Sequence, residues 1–449
     1  MPPAEKDVLQ ALSAIQDPDL GRDIVSLGFV KDLVIEGGHV SFSIELTTPA
    51  CPVKERFRSQ AEKLVAALPG VEKVDVKMTA KVKPAPGPSL SDELAGVKNL
   101  IAVASGKGGV GKSTVALNLA LALAKEGAKV GLLDADVYGP SIPPMMGEGK
   151  GEVSGGTDGK IRPFEKHGLK FMSMGMLVEP GSPLIWRGPM ASGILQQFLG
   201  DVAWGDLDYL FVDLPPGTGD IQLTLAQSAP LTGAVIVTTP LATASGVTRK
   251  GLALFRQVKV PILGVVENMS GFTCPHCGKT TDVFSRDGGK RLAEGLEVPF
   301  LGALPLDPAV AESGDTGLPV VTVRPDSPAG RAYLELARAC AAQISRTNAE
   351  GADESVPVRI DTKDPKRIRI EFSGGKTLSY NPHLLRTQCP CAGCVDEKTG
   401  KRTLQPGDVP LDVRLTGADP VGRYALRLAF SDGHATGLYT FDLLRKLGE

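Results

Sequence analysis

The stretch "LIAVASGKGGVGKST", Leu100–Thr114, combines an apolar run with a glycine-rich loop. It opens with an apolar run, Leu100–Ser105, of the kind expected for a strand buried on both faces. The glycine-rich loop that follows matches G-x-x-x-x-G-K-[ST] over Gly106–Ser113, the phosphate-binding P-loop that joins a strand to a helix. The stretch therefore predicts a nucleotide-phosphate site at the carboxyl end of a buried strand.

A second template competes for the same loop. Gly106, Gly108 and Gly111 also satisfy G-x-G-x-x-G, the dinucleotide fingerprint, and Asp134 lies about where its ribose-binding acid should be. The P-loop is the longer match, and only the P-loop requires a lysine and a serine after the last glycine. We therefore favour the P-loop.

The residue types explain the expected chemistry. Glycines allow backbone N–H groups to point at phosphate oxygens, and the following helix adds its positive N-terminal dipole. Lys112 is expected to reach the β- and γ-phosphates, and Ser113 to ligate Mg²⁺. The residues predicted to bind the nucleotide here are Gly106, Lys107, Gly108, Gly109, Val110, Gly111, Lys112, Ser113 and Thr114.

Further apolar runs surround the loop and alternate with helical segments. They are "LIAVAS", "KVGLLDAD", "LKFMSMG", "DYLFVDL", "AVIVTT", "ILGVVEN" and "FLGALP". This pattern predicts an α/β fold with a doubly wound, mostly parallel sheet, which binds ligands at the carboxyl ends of its strands. Asp134, Asp136 and Asp213 follow such strands and are candidate carboxylates for a Mg²⁺-nucleotide site.

Two polar stretches divide the chain. Residues 81–97 are predicted to be a linker because they are rich in Pro, Ser and Gly, and residues 347–357 because they are polar with almost no large apolar residues. They leave a small N-terminal α+β domain over 1–80, the P-loop domain over 98–346, and a small β-rich domain over 358–449. A bound metal is expected to stabilise the last domain, because its core must be small.

Composition narrows the functional classes. The net charge is −2, so no global field attracts nucleic acid or an anionic membrane. The apolar runs are too short to span a bilayer, and no signal peptide is evident, so a cytoplasmic location is expected. Five of the seven cysteines fall in two clusters, which in a cytosolic chain favours metal binding over disulfides.

Lys107 adds a second lysine to the loop, and "KGGVGKST" thereby resembles the deviant P-loop of the MinD/ParA/Mrp class of dimerising ATPases. "LLDADVYGPSIP", "VDLPPGTGD" and "VENMSGFTCPHCG" resemble the Mrp-type iron–sulfur cluster carrier ATPases, over about Val97–Arg346. The resemblance implies ATP as the nucleotide and a homodimer in which Lys107 reaches the partner's nucleotide. It also implies that Asp136 orients the attacking water, Asp213 is the Mg²⁺-side carboxylate and Asn268 lies near adenine.

The motif "CPHCG" places Cys274 and Cys277 at C-x-x-C spacing, which supplies half of a four-thiolate site. Half of a zinc ribbon or a redox pair are the alternatives, and His276 is expected to be an exposed spacer. In Mrp-type carriers the pair meets its symmetry mate, and four thiolates hold one [4Fe–4S] cluster. The resemblance further implies cluster assembly machinery and apo iron–sulfur proteins as partners, with no nucleic acid and no membrane.

A second cluster, "CPCAGC", holds Cys389, Cys391 and Cys394, and His434 follows in a predicted turn. These four residues make a Cys₃His set, the usual composition of a structural Zn²⁺ site. An iron–sulfur site and a free-thiol cluster remain alternatives, and His383 competes as fourth ligand. The segment is similar to the zinc-binding N-terminal domain of gamma-butyrobetaine hydroxylase. The sequence shows no 2-His-1-carboxylate triad, so no oxygenase activity is inferred.

Two cysteines stand apart. Cys340 lies in an amphipathic helix and is expected to be a small core residue. Cys51 precedes a predicted helix, a position that can lower a thiol pKa. Its surroundings over about Leu9–Met78 resemble the PaaD-like domain of iron–sulfur maturation factors, which makes Cys51 a candidate for transient handling of iron or sulfur.

The leading hypothesis is thus an ATP-hydrolysing scaffold or carrier for iron–sulfur clusters. Two alternatives share parts of the pattern. A positioning ATPase of the MinD/ParA kind needs a membrane-binding helix or a basic DNA-binding face, and neither is evident. An electron donor resembling the nitrogenase iron protein shares a cluster that bridges a dimer.

Overall fold

The fold was analysed in a computed structural model. It describes residues 2–86, 94, 96–137, 139–148, 154–156, 159–177, 188–217, 219–241, 253–274, 276–350, 357–396, 399–422 and 424–448. Residues 87–93 and 95 of the first predicted linker and residues 351–356 of the second lie outside this range.

The described strands and helices follow the order expected for three units in series. The strands are β1 (Val30–Glu36), β2 (His39–Leu46), β3 (Lys73–Ala80), β4 (Leu100–Ser105), β5 (Val130–Asp134), β6 (Phe164–Lys166), β7 (Leu169–Ser173), β8 (Tyr209–Asp213), β9 (Leu231–Thr238), β10 (Ile262–Glu267), β11 (Phe272–Thr273), β12 (Thr280–Thr281), β13 (Phe300–Ala303), β14 (Pro357–Asp364), β15 (Arg367–Phe372), β16 (Thr377–Tyr380), β17 (Leu415–Val421), β18 (Ala425–Phe430) and β19 (Gly437–Thr440). The α-helices are α1 (Glu5–Leu12), α2 (Lys54–Ala66), α3 (Lys112–Lys125), α4 (Ile142–Met145), α5 (Gly188–Gly200), α6 (Asp220–Ser228), α7 (Gly288–Gly295), α8 (Pro308–Asp315), α9 (Val320–Val323), α10 (Pro328–Glu350), α11 (Pro382–Thr387) and α12 (Phe441–Gly448).

The N-terminal unit is the predicted small α+β domain. β1 and β2 form an antiparallel hairpin whose turn contains Gly37 in the left-handed region, at φ 60°. β3 pairs parallel to β2, and α2 provides the crossover between them. Val8, Phe42 and Phe57 are buried in one core between the helices and the sheet. The helices, the hairpin and the last strand of this domain are confirmed.

The central unit is built on a sheet of the order β13-β10-β9-β4-β8-β5-β7-β6. All its pairings are parallel except that of the edge strand β6 with β7. Every residue of β4, β5, β8 and β9 is buried, because helices cover both faces of the sheet. The doubly wound, mostly parallel sheet and all seven predicted strands are confirmed.

Strand register brings the acidic strand ends together. Asp134, the last residue of β5, pairs directly with Asp213, the last residue of β8. Glu267 at the end of β10 pairs with Thr238 of β9. Since the P-loop leaves β4 between β8 and β9, these side chains surround it at one edge of the sheet.

The C-terminal unit consists of two three-stranded antiparallel sheets, β14-β15-β16 and β17-β18-β19. β15 alternates strictly between exposed and buried residues, as expected for a sheet with one solvent-exposed face. Its inward residues, Ile368, Ile370 and Phe372, pack in a core that also contains Cys389 and Cys394. β14 and β17 were not predicted.

The predicted linkers require correction where the structure describes them. Helix α10 continues to Glu350, so residues 347–350 are helical; their polar side chains suit the exposed end of a long helix. In the first linker, Val82 is only 5% exposed and packs into the core of the central unit. Composition did not reveal either feature, because both depend on neighbours distant in sequence.

Both end domains contact the central unit. The hydroxyl of Tyr209, at the start of β8, donates to Thr48 Oγ1 at 3.1 Å, and Arg346 pairs with Asp19 at 2.5 Å. These contacts lie near the amino ends of the parallel strands, opposite the acidic edge, since Tyr209 begins the strand that Asp213 ends.

In the C-terminal domain, the backbone N–H of Gly422 in the β17–β18 turn donates to the Gln227 carbonyl near the end of α6 at 2.9 Å. Lys259 forms an ion pair with Asp442 of α12. The C-terminal domain therefore rests on the helix that follows the Asp213 loop.

Candidate functional site

The P-loop connects β4 to α3 and takes a conformation that requires glycine. Gly109 and Gly111 lie in the left-handed region, at φ 75° and 77°, which residues with a Cβ rarely adopt. Gly111 is the N-cap of α3, so the loop ends at a helix N-terminus. The described geometry is thus that of a backbone cradle at the positive end of a helix.

Lys112 is buried among acidic side chains at the start of α3. Its Nζ donates to Asp213 Oδ1 at 2.6 Å and lies 3.5 Å from Asp136 Oδ2. The same ammonium is 3.2 Å from Ser113 Oγ. The structure therefore brings together four predicted site residues: Lys112, Ser113, Asp136 and Asp213. Burial raises the pKa of Asp213, and the charge of Lys112 opposes that rise.

Asp134 has different hydrogen-bond partners from Asp136. Its carboxylate is fully buried and accepts hydrogen bonds from Ser173 Oγ at 2.9 Å and from the backbone N–H groups of Asp136 and Ile142. Burial, and then the charge of Asp213, raise the pKa of Asp134 to about 7. Asp134 thus anchors the loop that carries Asp136 and does not contact Lys112 itself in any described hydrogen bond.

This pKa predicts a pH dependence of stability. A carboxyl whose folded pKa is raised from 3.8 to about 7 binds a proton more readily in the folded state, so its contribution to stability falls as pH rises through that window. The free energy of unfolding of the parent protein should therefore fall between about pH 4 and pH 7. In Asp134→Asn, which has no carboxyl to titrate at this position, we expect that fall to be smaller by up to about 4 kcal/mol. Urea unfolding without nucleotide or Mg²⁺ measures this; equal pH slopes for the two proteins would contradict it.

Asn268 and Lys107 flank the loop in different ways. Asn268 Nδ2 donates to the carbonyl of Val110 at 2.9 Å, so its side chain contacts the P-loop backbone. The carbonyl of Lys107 accepts from Ser105 Oγ at 3.0 Å, and its side chain is half-buried. The predicted roles of Asn268 near adenine and of Lys107 across a dimer stay predictions.

Cys274 and Cys277 lie in the short hairpin of β11 and β12, which follows β10 at the same edge of the sheet. The turn is closed by hydrogen bonds from Cys274 N to the Lys279 carbonyl and from Gly278 N to the Cys274 carbonyl. Cys274 is half-buried, whereas Cys277 and His276 are exposed. Hydrogen bonds from the backbone N–H groups of His276 and Cys277 lower the pKa of the Cys274 thiol.

The other cysteine cluster brings all its candidate metal ligands together. The ligand atoms of Cys389, Cys391, Cys394 and His434 lie within 4.8 Å of one another. His434 Nε2 is 3.1, 3.5 and 3.9 Å from the three sulfurs in that order. His383 does not join this group. Across the described part of the chain, no such group includes Cys274 or Cys277.

Neighbouring side chains hold the Cys₃His group in place. Arg386 donates to Cys394 Sγ at 3.4 Å and pairs with Asp432 at 2.6 Å. Asp432 in turn accepts from the backbone N–H of His434 at 3.1 Å. A Cβ at Gly437 would lie 2.7 Å from Cys389 Sγ, so glycine is needed there. Such outer contacts are typical of metal sites, where they orient the ligands.

Comparison with known proteins identifies the central unit. The family model for the NUBPL iron-transfer P-loop NTPases matches residues 96–341. The chain belongs to this family. Two other family models match the ends of the chain. The model for an iron–sulfur cluster assembly protein matches residues 5–77, and the model for a gamma-butyrobetaine hydroxylase-like N-terminal domain matches residues 360–445.

Individual relatives match most of the length of the chain. The "Iron-sulfur cluster carrier protein" of Deinococcus radiodurans is 48% identical over 351 residues, 78% of this chain and 99% of that protein. A chloroplastic Fe–S cluster assembly factor of Arabidopsis thaliana is 45% identical over 435 residues, 96% of this chain and 80% of that protein. A solved nucleotide-binding protein from Archaeoglobus fulgidus in complex with ADP is 40% identical, covers 54% of this chain and 96% of its own, and superposes with a TM-score of 0.47.

The expectation for Cys51 in this NTPase is partly wrong. The thiol is half-buried in front of α2, and burial raises its pKa to about 11, although a backbone N–H donated by Val53 opposes the rise. The helix N-terminus therefore does not activate Cys51, because desolvation outweighs it. Its transient handling of iron or sulfur stays a prediction. Cys340 is fully buried in α10, as predicted.

Sequence reasoning missed several residues of both sites. Glu267 is a buried strand-end carboxylate like Asp134 and Asp213, and this position could have singled it out. Ser173 and Arg386 gave no comparable signal, because their partners are far away in sequence. Among the described residues, no helix combines the length and the apolar character needed to cross a membrane.

Proposed function

We propose that this chain is an ATP-dependent carrier of iron–sulfur clusters, which holds a [4Fe–4S] cluster between the Cys274/Cys277 pairs of two copies. One observation carries the proposal: the P-loop and the C-x-x-C hairpin, in which Cys277 is exposed and Cys274 half-buried, lie at the same edge of the central sheet. The names of the curated relatives support the same function.

The nucleotide half of the proposal rests on the acidic edge. Asp213 Oδ2 is buried without a hydrogen-bond partner among the described residues, and Ser113 and Asp136 are the nearby oxygen ligands. This donor set fits Mg²⁺, which prefers carboxylate and hydroxyl oxygens. Bound there, Mg²⁺ would neutralise charge on the β- and γ-phosphates. Lys112 would exchange part of its contact with Asp213 for phosphate oxygens, and Asp136 would orient the attacking water.

The cluster half rests on an incomplete ligand set. A [4Fe–4S] cluster is commonly held by four thiolates, and the hairpin offers two. Because the pair is at the surface, a second copy can supply the other two without unfolding either chain. The lowered pKa of Cys274 favours the thiolate, which is the form that binds iron.

Dimerisation and hand-over complete the proposed cycle. ATP held between two P-loops, with Lys107 of each copy reaching the other, would keep the two hairpins together. Hydrolysis would release them and expose the cluster to an apo iron–sulfur protein. Cluster assembly machinery is the proposed source of the cluster, and a cytoplasmic location stays a prediction, since one relative is chloroplastic.

A transfer assay tests the function. The protein is loaded with cluster under anaerobic conditions and mixed with an apo-enzyme that needs a [4Fe–4S] cluster. We expect the recovered enzyme activity to depend on ATP and on the loaded protein together. Recovery at the same rate with free iron and sulfide alone would contradict a carrier role. ATP use that tracks electron delivery without loss of cluster would indicate the electron donor instead.

The Cys₃His group is proposed to hold Zn²⁺ as a structural site. Its composition is that of closed zinc sites, and its ligand atoms already lie within reach of one ion. An iron–sulfur cluster in its place would give visible absorption, which Zn²⁺ lacks.

We expect His434→Ala to reduce the zinc content from about one ion per chain to near zero. The C-terminal core should then melt at lower temperature, since metal binding contributes to its folding. His383→Ala is the matched control, because His383 lies outside the group, and it should keep the metal. Elemental analysis decides; loss of zinc from the His383 variant and retention in the His434 variant would reverse the assignment.

A further inference from the structure

A single short segment connects the P-loop to the cysteine hairpin. Asn268 is 7% exposed, and its Nδ2 donates to the Val110 carbonyl inside the loop. The contact is tight, because a Cβ at Gly111 would lie only 2.3 Å from Asn268 Nδ2. The backbone then runs directly from Asn268 into β11, which ends next to Cys274.

The buried carboxylate of Glu267 fixes this segment. Its Oε1 accepts from Ser270 Oγ at 2.6 Å and its Oε2 accepts from the Gly289 N–H, at the start of α7, also at 2.6 Å. Glu267 is 1% exposed, so both bonds are shielded from water and each is costly to lose. Met269, between the two anchored side chains, lies in the left-handed region at φ 61°.

Backbone bonds complete the support on the other side. Asn268 N donates to Thr238 in β9, Ser270 N donates to Leu304, and Leu306 N donates to Gly271. The segment therefore has little freedom to absorb a displacement of the P-loop locally. A shift of the Val110 carbonyl would therefore have to be accommodated at the hairpin, because the residues between Asn268 and Cys274 are held on both sides.

We propose that Asn268 is a positioning residue that couples the nucleotide at the P-loop to the cluster at Cys274 and Cys277, with Glu267 and Ser270 holding it in register. This inference rests on the proposed function and adds the route by which the two sites communicate. Asn268 need not touch the cluster, because it acts through the loop that ends at Cys274.

Thermodynamic linkage supplies the test. If nucleotide changes the affinity for the cluster, the cluster changes the affinity for nucleotide by the same factor. We therefore measure the Kd of a non-hydrolysable ATP analogue for the cluster-free and the cluster-loaded protein. The parent protein is expected to show a Kd ratio of roughly fivefold or more, the lower end of common coupling factors.

Asn268→Ala is expected to bring this ratio close to one while the protein still binds iron. A purely structural loss, or loss of a contact with the base, would weaken both Kd values alike and leave the ratio unchanged. Ser270→Ala breaks the Glu267 bond away from the nucleotide and should also reduce the ratio. Thr316→Ala, which removes an exposed hydroxyl at the C-cap of α8, is the control and should keep the parental ratio.

The measurements distinguish failure of the proposed function from failure of the coupling alone. A parent protein that binds no cluster overturns the proposed function and the coupling with it. A loaded parent protein whose Kd ratio is one overturns the coupling alone. So does a parental ratio that persists in a folded Asn268→Ala protein. If Asn268→Ala does not fold, the ratio in Ser270→Ala decides by itself.

Discussion

Lys112→Ala is expected to reduce ATP hydrolysis by about 100-fold or more, the usual effect of removing a preorganised group that stabilises transition-state charge. Lys112 is a buried cation at the head of α3, poised between the P-loop and the carboxylates of Asp136 and Asp213. Its loss removes the positive charge that would face the β- and γ-phosphates. Steady-state phosphate release, measured at saturating ATP, reports the effect.

The same substitution should also lower stability, because it leaves Asp213 buried without its cation; breaking such a pair typically costs about 3–5 kcal/mol. Iron content should remain at the parental level, since the cysteines lie on a separate hairpin. Lys125→Ala, at the exposed end of the same helix, serves as the control and should hydrolyse ATP normally. Hydrolysis at the parental rate in Lys112→Ala would refute the assigned role.

Cys277→Ala is expected to abolish the bridging cluster. The side chain is exposed, so its truncation costs little folding energy, yet it removes one ligand from each copy and two from each shared site. Iron, acid-labile sulfide and visible absorption should all fall to background after anaerobic reconstitution.

Cys340→Ala is the matched control for that loss. Cys340 is fully buried in α10, so its substitution perturbs packing but removes no proposed ligand. We expect a lower melting temperature with unchanged iron. If the Cys340 variant loses its iron while the Cys277 variant keeps it, the cluster has been assigned to the wrong cysteines.

The parts of the fold that could be predicted are those written in local patterns. β4, β5, β8 and β9 are continuous apolar runs, because both faces of each strand are buried. β17, in contrast, contains "GADP", which has the composition of a turn, and β6 has three residues. Such strands form because an adjacent strand pairs with them, and their own sequence does not indicate this pairing.

The same distinction applies to the sites. The P-loop and the cysteine spacings are local, and the sequence alone placed Lys112, Ser113, Asp136 and Asp213 in one site. The contact of Asn268 with Val110 joins residues far apart in sequence, as does the pairing of Arg386 with Asp432. The raised pKa of Cys51 likewise depends on burial, which its position before a helix could not reveal.

The stoichiometry of the cluster shows whether two chains share one site. Protein reconstituted anaerobically with iron and sulfide is examined by Mössbauer spectroscopy and by native mass spectrometry. The account predicts one [4Fe–4S] cluster, about four irons, for every two chains, found only in the dimer. Mixed dimers of parent and Cys274→Ala/Cys277→Ala chains should hold no intact cluster. A [4Fe–4S] cluster bound to a single chain, or one that survives in the double variant, would contradict the shared site.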